Sequence, residues 1–331
     1  MVQYLPLIRT QKFFRYKMKK LLKSTVKKII EKSFFLKQLT YRVLAIYAKI
    51  KSQKAKKVFE QAQKTPVWLE REMLETLSQQ QNTHLSSYVN LHSVSDEKRR
   101  ANFYERDDVK AKQVADLIKT CLPSPKSPKN ILEIGTQTGI LSYFLQRMGH
   151  LTTAIDLNSK LFEEKAIQEG VKLLEMDATQ LQFEDESFDF IFSFNAFEHI
   201  NDPEAALREM IRVCQSGGYI YLCFDPLYMS PLGLHAIPVI TVPYCQFFWE
   251  AEILHDFAGC NFPYVNGWPL EKYRQLWNDY NHVLTQKRYN EAYNIHNLDL
   301  IMAYPSCFKS KTENFDNLIV SGIQVLFQKK H

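Results

Sequence analysis

The stretch that most constrains the fold is residues 131–140, where a short apolar run ends in two closely spaced glycines. The run has the character of a strand covered on both faces. Gly135 and Gly139 frame a tight turn in which a Cβ atom would keep a ligand away from the backbone. Apolar residues then recur at helical spacing: Ile140, Leu141, Phe144, Leu145 and Met148. The pattern predicts a strand, a turn and a helix whose free N–H groups face a crevice.

Acidic residues stand at the ends of three predicted strands. Glu133 precedes the glycine turn, where a carboxylate would repel a pyrophosphate and suits the amino group of an amino-acid-like cofactor. Asp156 ends the strand predicted at 151–155, and its carboxylate can accept hydrogen bonds from two vicinal ribose hydroxyls. Asp177 follows the strand predicted at 171–176, and it contacts the ligand or caps the next short helix. The absence of GxGxxG disfavours a nicotinamide dinucleotide.

Two segments resemble motifs of the class I S-adenosylmethionine-dependent methyltransferases. Glu133-x-Gly135-x-x-x-Gly139 is similar to the first motif, and residues 195–204, with Glu-His-Ile-Asn-Asp-Pro, closely resemble the fourth motif of the type 11 group. The family usually has a glycine where this chain has Gln137. The resemblance implies methyl transfer from S-adenosylmethionine. It implies a cofactor site formed by Glu133, Gly135, Gly139, Asp156, Leu157, Asp177, Ala178 and Asn195.

The expected fold is an α/β, doubly wound, seven-stranded sheet whose last strand is antiparallel. Residues 1–84 are interpreted as a basic helical extension and residues 85–331 as the methyltransferase domain. Residues 226–296 are interpreted as a lid insertion over the carboxyl ends of the strands, where an acceptor would bind. The sixth strand is predicted at 297–304 and the seventh at 317–328.

Two histidines are candidates for the catalytic base. His199 lies in the fourth motif, and His235 follows the fifth strand, where deprotonation of an acceptor hydroxyl would strengthen the nucleophile. Each has a structural alternative: His199, with Glu198, would cap the next helix, and His235 would fix the lid by hydrogen bonding. A metal-dependent subset of related O-methyltransferases binds Mg²⁺ through an E-x-x-E-H arrangement. Because Asn195 replaces the first acid here, no metal ligands are predicted.

Basic charge is concentrated at the start of the chain. Residues 1–64 contain 18 Lys and Arg and two acidic residues, whereas the remainder contains 24 basic and 34 acidic residues. Residues 17–32 have the pattern of a basic amphipathic helix. Two interpretations stay open: peripheral contact with an anionic membrane, or a helix packed on its own domain with a solvated lysine face. The acidic remainder argues against a nucleic-acid partner.

The cysteine content and the hydropathy of the sequence limit the compartment and the function that can be expected. Six scattered cysteines without a C-x-x-C pair fit a reducing compartment, and no run of 18 apolar residues predicts a spanning helix. A cytoplasmic methyltransferase is therefore expected, acting on a small-molecule, glycan or lipid-like acceptor, with oxygen as the favoured acceptor atom. The alternatives are a nicotinamide- or nucleotide-dependent enzyme on a similar sheet and a non-catalytic scaffold bound to a membrane or protein partner.

Overall fold

The computed structural model describes residues 34–65, 68–81, 96–122, 128–236 and 239–331. The chain divides into two compact units, Met1–Val58 and Phe59–His331. The amphipathic helix predicted at 17–32 lies outside the described residues.

The described part of the chain contains twelve α-helices and seven strands. The helices are α1 Phe34–Gln61, α2 Arg71–Gln81, α3 Asp96–Cys121, α4 Ile140–Arg147, α5 Glu164–Gln168, α6 Pro203–Val213, α7 Cys245–Phe248, α8 Ala251–Ala258, α9 Leu270–Asp279, α10 Leu298–Ala303, α11 Pro305–Lys309 and α12 Asp316–Ile319. The strands are β1 Asn130–Ile134, β2 Leu151–Asp156, β3 Lys172–Glu175, β4 Phe188–Phe194, β5 Cys214–Phe224, β6 Leu284–Tyr293 and β7 Val320–Lys329. Short 3₁₀ turns occupy Ser159–Leu161 and Phe197–His199.

The seven strands form a single sheet in the order β3-β2-β1-β4-β5-β7-β6. Strands β1 to β5 pair in parallel, whereas β7 is antiparallel to both of its neighbours, β5 and β6. The chain leaves β1 toward β2 on one side and later returns to β4 on the other, so β1 and β4 flank the topological switch point. The doubly wound sheet with an antiparallel last strand is confirmed.

Apolar side chains cover both faces of the sheet. On one face, Leu132 and Ile220 belong to a core with Met210 of α6 and Trp277 of α9. On the other face, strand residues such as Phe190 pack with α3 and α4. Burial on both faces explains why β1 and β4 read as nearly continuous apolar runs.

The predicted sixth strand is wrong. Residues 298–303 form α10, and β6 lies earlier, at Leu284–Tyr293. The error has a physical cause: β6 is an edge strand with an exposed, polar sequence, whereas the apolar run of α10 is buried at Leu298 and Ile301. The chain between β5 and β6, residues 225–283, is therefore shorter than the predicted insertion; we refer to it as the β5–β6 segment.

Aromatic residues of the β5–β6 segment serve as core. Tyr273 and Trp277 of α9 pack with Phe197 and Phe224 against the sheet. Trp249 is 1% exposed, and its indole N–H donates to the Glu70 carbonyl. These aromatic side chains stabilise the fold by burial.

In the unit Met1–Val58, α1 carries exposed apolar side chains. Ile46, Tyr47 and Ile50 are 60%, 62% and 60% exposed. Within the described residues, none of the helices combines the length and the apolar content needed to cross a membrane.

Candidate functional site

The predicted cofactor residues lie along one edge of the sheet. Strand register places Ile134 beside both Ile155 and Ser193, and Asp156 beside Glu175. The residues that follow these positions therefore share the carboxyl edge of β3, β2, β1 and β4. In open α/β sheets, ligands bind in the crevice at this edge.

The two glycines of the turn are required by the protein itself. Both have positive φ, 74° at Gly135 and 82° at Gly139. A Cβ atom at Gly135 would lie 2.1 Å from Cβ of Ala196, and one at Gly139 would lie 2.6 Å from a methyl group of Leu173. Protein atoms near both positions therefore require glycine, and the expectation that a side chain here would block a ligand stays a prediction.

Several N–H groups at the start of α4 already have partners. The N–H groups of Gly139, Ile140 and Ser142 donate to side-chain oxygens of Thr136, Thr138 and Glu133. The predicted set of free N–H groups facing the crevice is wrong at these three positions, because threonine and glutamate side chains cap them.

Asp156 connects the tip of β2 to the glycine turn. Its Oδ2 accepts the N–H of Gln137 at 2.8 Å, and its Oδ1 accepts the N–H of Asn158 at 3.2 Å. Each carboxylate oxygen has a second lone pair, which suits two ribose hydroxyls. The neighbouring Leu157 is 69% exposed and offers an apolar surface beside that carboxylate.

Glu133 is buried, at 4% exposure, and points into the start of α4. Its Oε2 accepts hydrogen bonds from the N–H and the hydroxyl of Ser142. Burial raises the pKa of Glu133 to about 7 in spite of these bonds. A direct contact between Glu133 and a cofactor amino group stays a prediction.

Asp177 lies at the end of β3 and is exposed, with the buried Ala178 beside it. Its Oδ1 accepts both the N–H and the hydroxyl of Thr179 at 2.8 Å. Residues 178–180 form a turn, so the alternative in which Asp177 caps a short helix is wrong, and the carboxylate stabilises that turn instead. Its Oδ2 has no hydrogen bond within the described residues, so an additional contact with adenine stays a prediction.

A cavity of about 530 Å³ opens beside Asn195, between α3 and the ends of β4 and β5. Asn195 has a φ of 49° and is exposed. Nζ of Lys110, in α3, lies 5.0 Å from the centre of the Phe194 ring, and Lys110 and Asp225 both line the cavity. Burial lowers the pKa of Lys110. No sequence motif pointed to Lys110, which reaches the site because α3 packs beside the ends of β4 and β5.

The two predicted histidines lie together. The rings of His199 and His235 are 4.8 Å apart and nearly perpendicular. His199 Nδ1 donates to the carbonyl of Tyr264, and His235 Nε2 donates to the carbonyl of Pro226 at 2.9 Å. Burial lowers the pKa of His235, so its ring is neutral at pH 7, as a base must be.

Glu198 lies beside the histidines and is 1% exposed. Neither of its carboxylate oxygens has a hydrogen-bond partner within the described residues, and its Oε1 is 3.9 Å from Nε2 of His199. Burial raises the pKa of Glu198 to about 8. The alternative in which Glu198 and His199 cap the next helix is wrong, because Asp202 accepts the N–H of Ala205 there.

The β5–β6 segment is attached to the 3₁₀ turn that carries Glu198 and His199. The Asn266 side-chain amide donates to the carbonyls of Phe197 and Ile200, and its backbone N–H donates to the carbonyl of Glu198. Sequence reasoning missed Asn266, because its partners lie more than 60 positions away.

Comparisons with known proteins identify the domain. A family model described as a methyltransferase domain matches residues 132–222. A relative from Mycobacterium sp. (strain JLS), named an uncharacterized methyltransferase, is 29% identical over 41% of this chain and 54% of its own length. Phosphatidylethanolamine N-methyltransferase of Cereibacter sphaeroides is 31% identical over 28% of this chain and 48% of its own length. Ubiquinone biosynthesis O-methyltransferase of Caulobacter vibrioides is 30% identical over 41% of this chain and 60% of its own length.

Residues 132–222 thus match a methyltransferase domain, and the class I domains that this stretch resembles use S-adenosylmethionine. The chain spans about half the length of the curated relatives it matches. The residues present fit this cofactor: Asp156 retains acceptor capacity toward hydroxyls, and the exposed Leu157 offers an apolar contact. The exposed Asn195 connects the same edge to the cavity.

Proposed function

We propose that this protein is a methyltransferase that binds S-adenosylmethionine at the carboxyl edge of β1 to β4 and methylates an acceptor in the adjoining cavity. The observation that carries the proposal is Asp156: it lies next to the switch point, accepts the N–H of Gln137, and has lone pairs available for a ribose. S-adenosylmethionine would supply an activated methyl group. Asp156, Leu157, Asp177 and Ala178 would hold its nucleoside, and Asn195 would lie nearer the acceptor.

On the acceptor side, the chain supplies acid–base groups and an enclosed space. Asp225 lines the cavity and interacts electrostatically with both Glu198 and His235. The described lining of the cavity does not include the histidines, so an acceptor held there would have to extend past Asp225 to reach them. His235 is the preferred group to take a proton from it, with His199 beside it. Positioning and exclusion of water would provide the rest of the rate enhancement.

The proposed acceptor is a small, lipid-like or glycan molecule methylated on oxygen. One relative is named for phosphatidylethanolamine and another for ubiquinone biosynthesis, which supports a lipid-like or quinone-like class. Oxygen is favoured because a hydroxyl needs a base to become a strong nucleophile, and a neutral histidine is present.

The decisive experiment is calorimetric titration of the full chain with S-adenosylmethionine, followed by incubation with labelled cofactor and an extract of the source organism. Saturable binding and a labelled small molecule are expected. Absence of binding at millimolar cofactor would overturn the proposal and would favour a non-catalytic scaffold.

We also propose that residues 1–64 contact anionic membranes, which would bring the domain to a lipid-like acceptor. The excess of 18 basic over two acidic residues and the exposed Ile46, Tyr47 and Ile50 support this contact. Vesicles containing anionic lipid should retain the full chain at physiological salt, whereas neutral vesicles should not. Equal retention by both, or by neither, would contradict it.

A further inference from the structure

Glu198, His199 and His235 form a compact group of possible metal ligands. One carboxylate oxygen and one nitrogen from each imidazole all lie within 4.8 Å of one another. Across the described ranges, from residue 34 to 331 with their gaps, this is the one group of three such side chains. The sequence predicted no metal ligands, because Asn195 replaces the first acid of the E-x-x-E-H arrangement and His235 comes from the distant β5–β6 segment.

Both imidazoles are oriented by backbone carbonyls in the manner of metal-binding histidines. His199 donates through Nδ1 to the Tyr264 carbonyl, and His235 donates through Nε2 to the Pro226 carbonyl. Because a carbonyl only accepts, these bonds place the hydrogen of each neutral ring on the bonded nitrogen. The other nitrogen, Nε2 of His199 and Nδ1 of His235, then carries a free lone pair. A second-shell carbonyl of this kind fixes the tautomer of a ligand histidine.

The carboxylate of Glu198 supplies an independent indication of a missing partner. It is 1% exposed, and both of its oxygens lack a hydrogen bond within the described residues. Buried polar atoms are almost always paired, so an orphaned carboxylate indicates an unrecorded proton, water or cation. Lys110 attracts Glu198 electrostatically, but the structure records no salt bridge between these two side chains.

We propose that Glu198, His199 and His235 bind a divalent first-row transition cation of the Zn²⁺ type. Two imidazole nitrogens and one carboxylate oxygen form a donor set that Zn²⁺ accepts, whereas Mg²⁺ and Ca²⁺ prefer oxygen ligands. For three atoms at most 4.8 Å apart, some point lies within about 2.8 Å of all of them. Zinc bonds to nitrogen and oxygen are about 2.0 to 2.2 Å long, so a contraction of under about 1 Å completes the site.

This inference rests on the proposed function and specifies how the acceptor is activated. Three protein ligands leave a coordination position for an acceptor hydroxyl, as in catalytic zinc sites. A coordinated hydroxyl has a lowered pKa; its O–H bond breaks, the proton leaves to water, and the electron pair stays on the oxygen. In this refinement His199 and His235 would hold the cation, and the cation would replace His235 as the group that activates the acceptor hydroxyl. The proposed acceptor is therefore a compound with a hydroxyl group, because such a site activates a hydroxyl that coordinates the cation.

The test uses the full chain, freed of metal with a chelator and titrated with Zn²⁺ alone. Co²⁺ serves as a spectroscopic probe, because its visible absorption reports coordination by protein ligands. One equivalent of either ion is expected to bind. Glu198→Gln and His199→Gln should each weaken binding at least tenfold, and Glu198→Asp, which keeps the carboxylate, should bind more tightly than Glu198→Gln.

Matched controls separate this site from adventitious binding. His282→Gln removes an exposed imidazole and Cys260→Ser removes an exposed thiol, and neither should change the affinity for Zn²⁺. Circular dichroism identifies variants that fail to fold. Absence of stoichiometric binding, or equal binding by the wild type and Glu198→Gln, would overturn the proposal. Titration of the same samples with S-adenosylmethionine tests the proposed function separately, because cofactor binding needs none of these three residues.

Discussion

The two halves of the candidate site each contain a buried glutamate, and the two glutamates differ in their partners. In the cofactor half, at the ends of β1 to β3, Glu133 accepts two hydrogen bonds from Ser142. In the acceptor half, at the ends of β4 and β5 and in the β5–β6 segment, both oxygens of Glu198 lack a partner within the described residues. Burial raises the pKa of both carboxyls, to about 7 and about 8.

The two acids thus differ in how far the protein itself satisfies them. Glu133 accepts hydrogen bonds from Ser142 near the start of the helix that follows it, so it joins β1 to α4. The backbone carbonyl of Glu198 accepts the N–H of Asn266, yet its side chain has no hydrogen-bond partner among the residues that the structure describes. A protein tolerates such a group where a ligand or a proton completes it.

The largest expected effect comes from a substitution that removes a group of the acceptor half and leaves the cofactor half unchanged. His235 has a φ of 56°, a conformation that asparagine tolerates well, so His235→Asn should keep the fold. Loss of the imidazole should lower methyl transfer by about 10² to 10⁴-fold. Affinity for S-adenosylmethionine should stay unchanged. Radiolabel transfer and calorimetry measure the two quantities, with His282→Asn as the control; unchanged turnover would remove His235 from the mechanism.

A second prediction concerns the cost of burying Glu133. The unfolded chain loses this proton near pH 4.5 and the folded chain near pH 7, so the folded state binds more protons in between. The free energy of unfolding should therefore fall by up to about 3 kcal/mol as the pH rises from about 4.5 to 7, with no further loss above. Glu133→Gln should remove this contribution, as measured by urea unfolding at several pH values.

Glu175→Gln is the matched control for that prediction. Glu175 accepts the same pair of bonds, from the N–H and hydroxyl of Ser159, but on an exposed surface. These bonds lower the pKa of Glu175, so its removal should not reduce the loss of stability between pH 4.5 and 7. If the free energy of unfolding falls by the same amount in Glu133→Gln and in the wild type between pH 4.5 and 7, Glu133 is not the acid that causes this pH dependence.

The third prediction concerns a substitution in the cofactor half. Asp156→Asn weakens the bond to Gln137 N–H and removes the charge that would accept ribose hydroxyls. Affinity for S-adenosylmethionine should fall about thirtyfold, or about 2 kcal/mol. Asp189→Asn is the control, since Asp189 accepts the Asn130 N–H at 2.8 Å at the opposite end of β1. Equal losses in the two variants would indicate a general effect on the sheet.

The smallest expected effect concerns Gln137, whose φ is 57° and whose side chain is exposed. Gln137→Gly relieves a left-handed backbone and should raise the free energy of unfolding by about 0.5 kcal/mol. Cofactor affinity should change by less than about threefold, because an exposed side chain leaves the crevice open. Gln137→Ala retains the backbone strain and separates the two contributions. A tenfold gain in affinity in both variants would show that the glutamine obstructs the crevice.

The sequence predicted the backbone arrangement of the cofactor half because the determinants of that arrangement are local. One strand, two glycines and the next helix lie within residues 131–147, and parallel pairing then brings the acids after β2 and β3 to the same edge. The doubly wound topology follows from the same alternation of apolar runs and helical periodicity. Their contacts with a cofactor stay predictions.

The arrangement of the acceptor half could not be predicted in this way, because its contacts join residues that are far apart in the sequence. His199 contacts Tyr264, which is 65 positions away, and Asn266 reaches Phe197 across 69 positions. Both histidines were singled out, but their proximity depends on how the β5–β6 segment folds back. The polar edge strand β6 was missed for a related reason: its pairing with β7, more than its composition, makes it a strand.

The antiparallel strand β7 links the folding order of the chain to its chemistry. Phe224 at the end of β5 pairs with Ile323 in β7, so residues 225–319 form a loop that must be synthesised before this pairing can occur. Closing so long a loop has a high entropic cost, and such non-local pairings form slowly. On the ribosome, β1 to β5 can collapse first, while the turn bearing Glu198 and His199 still awaits His235 and Asn266. A nascent chain would therefore form the candidate cofactor half before the candidate acceptor half, and chaperones or proteases would meet the acceptor half before it is complete.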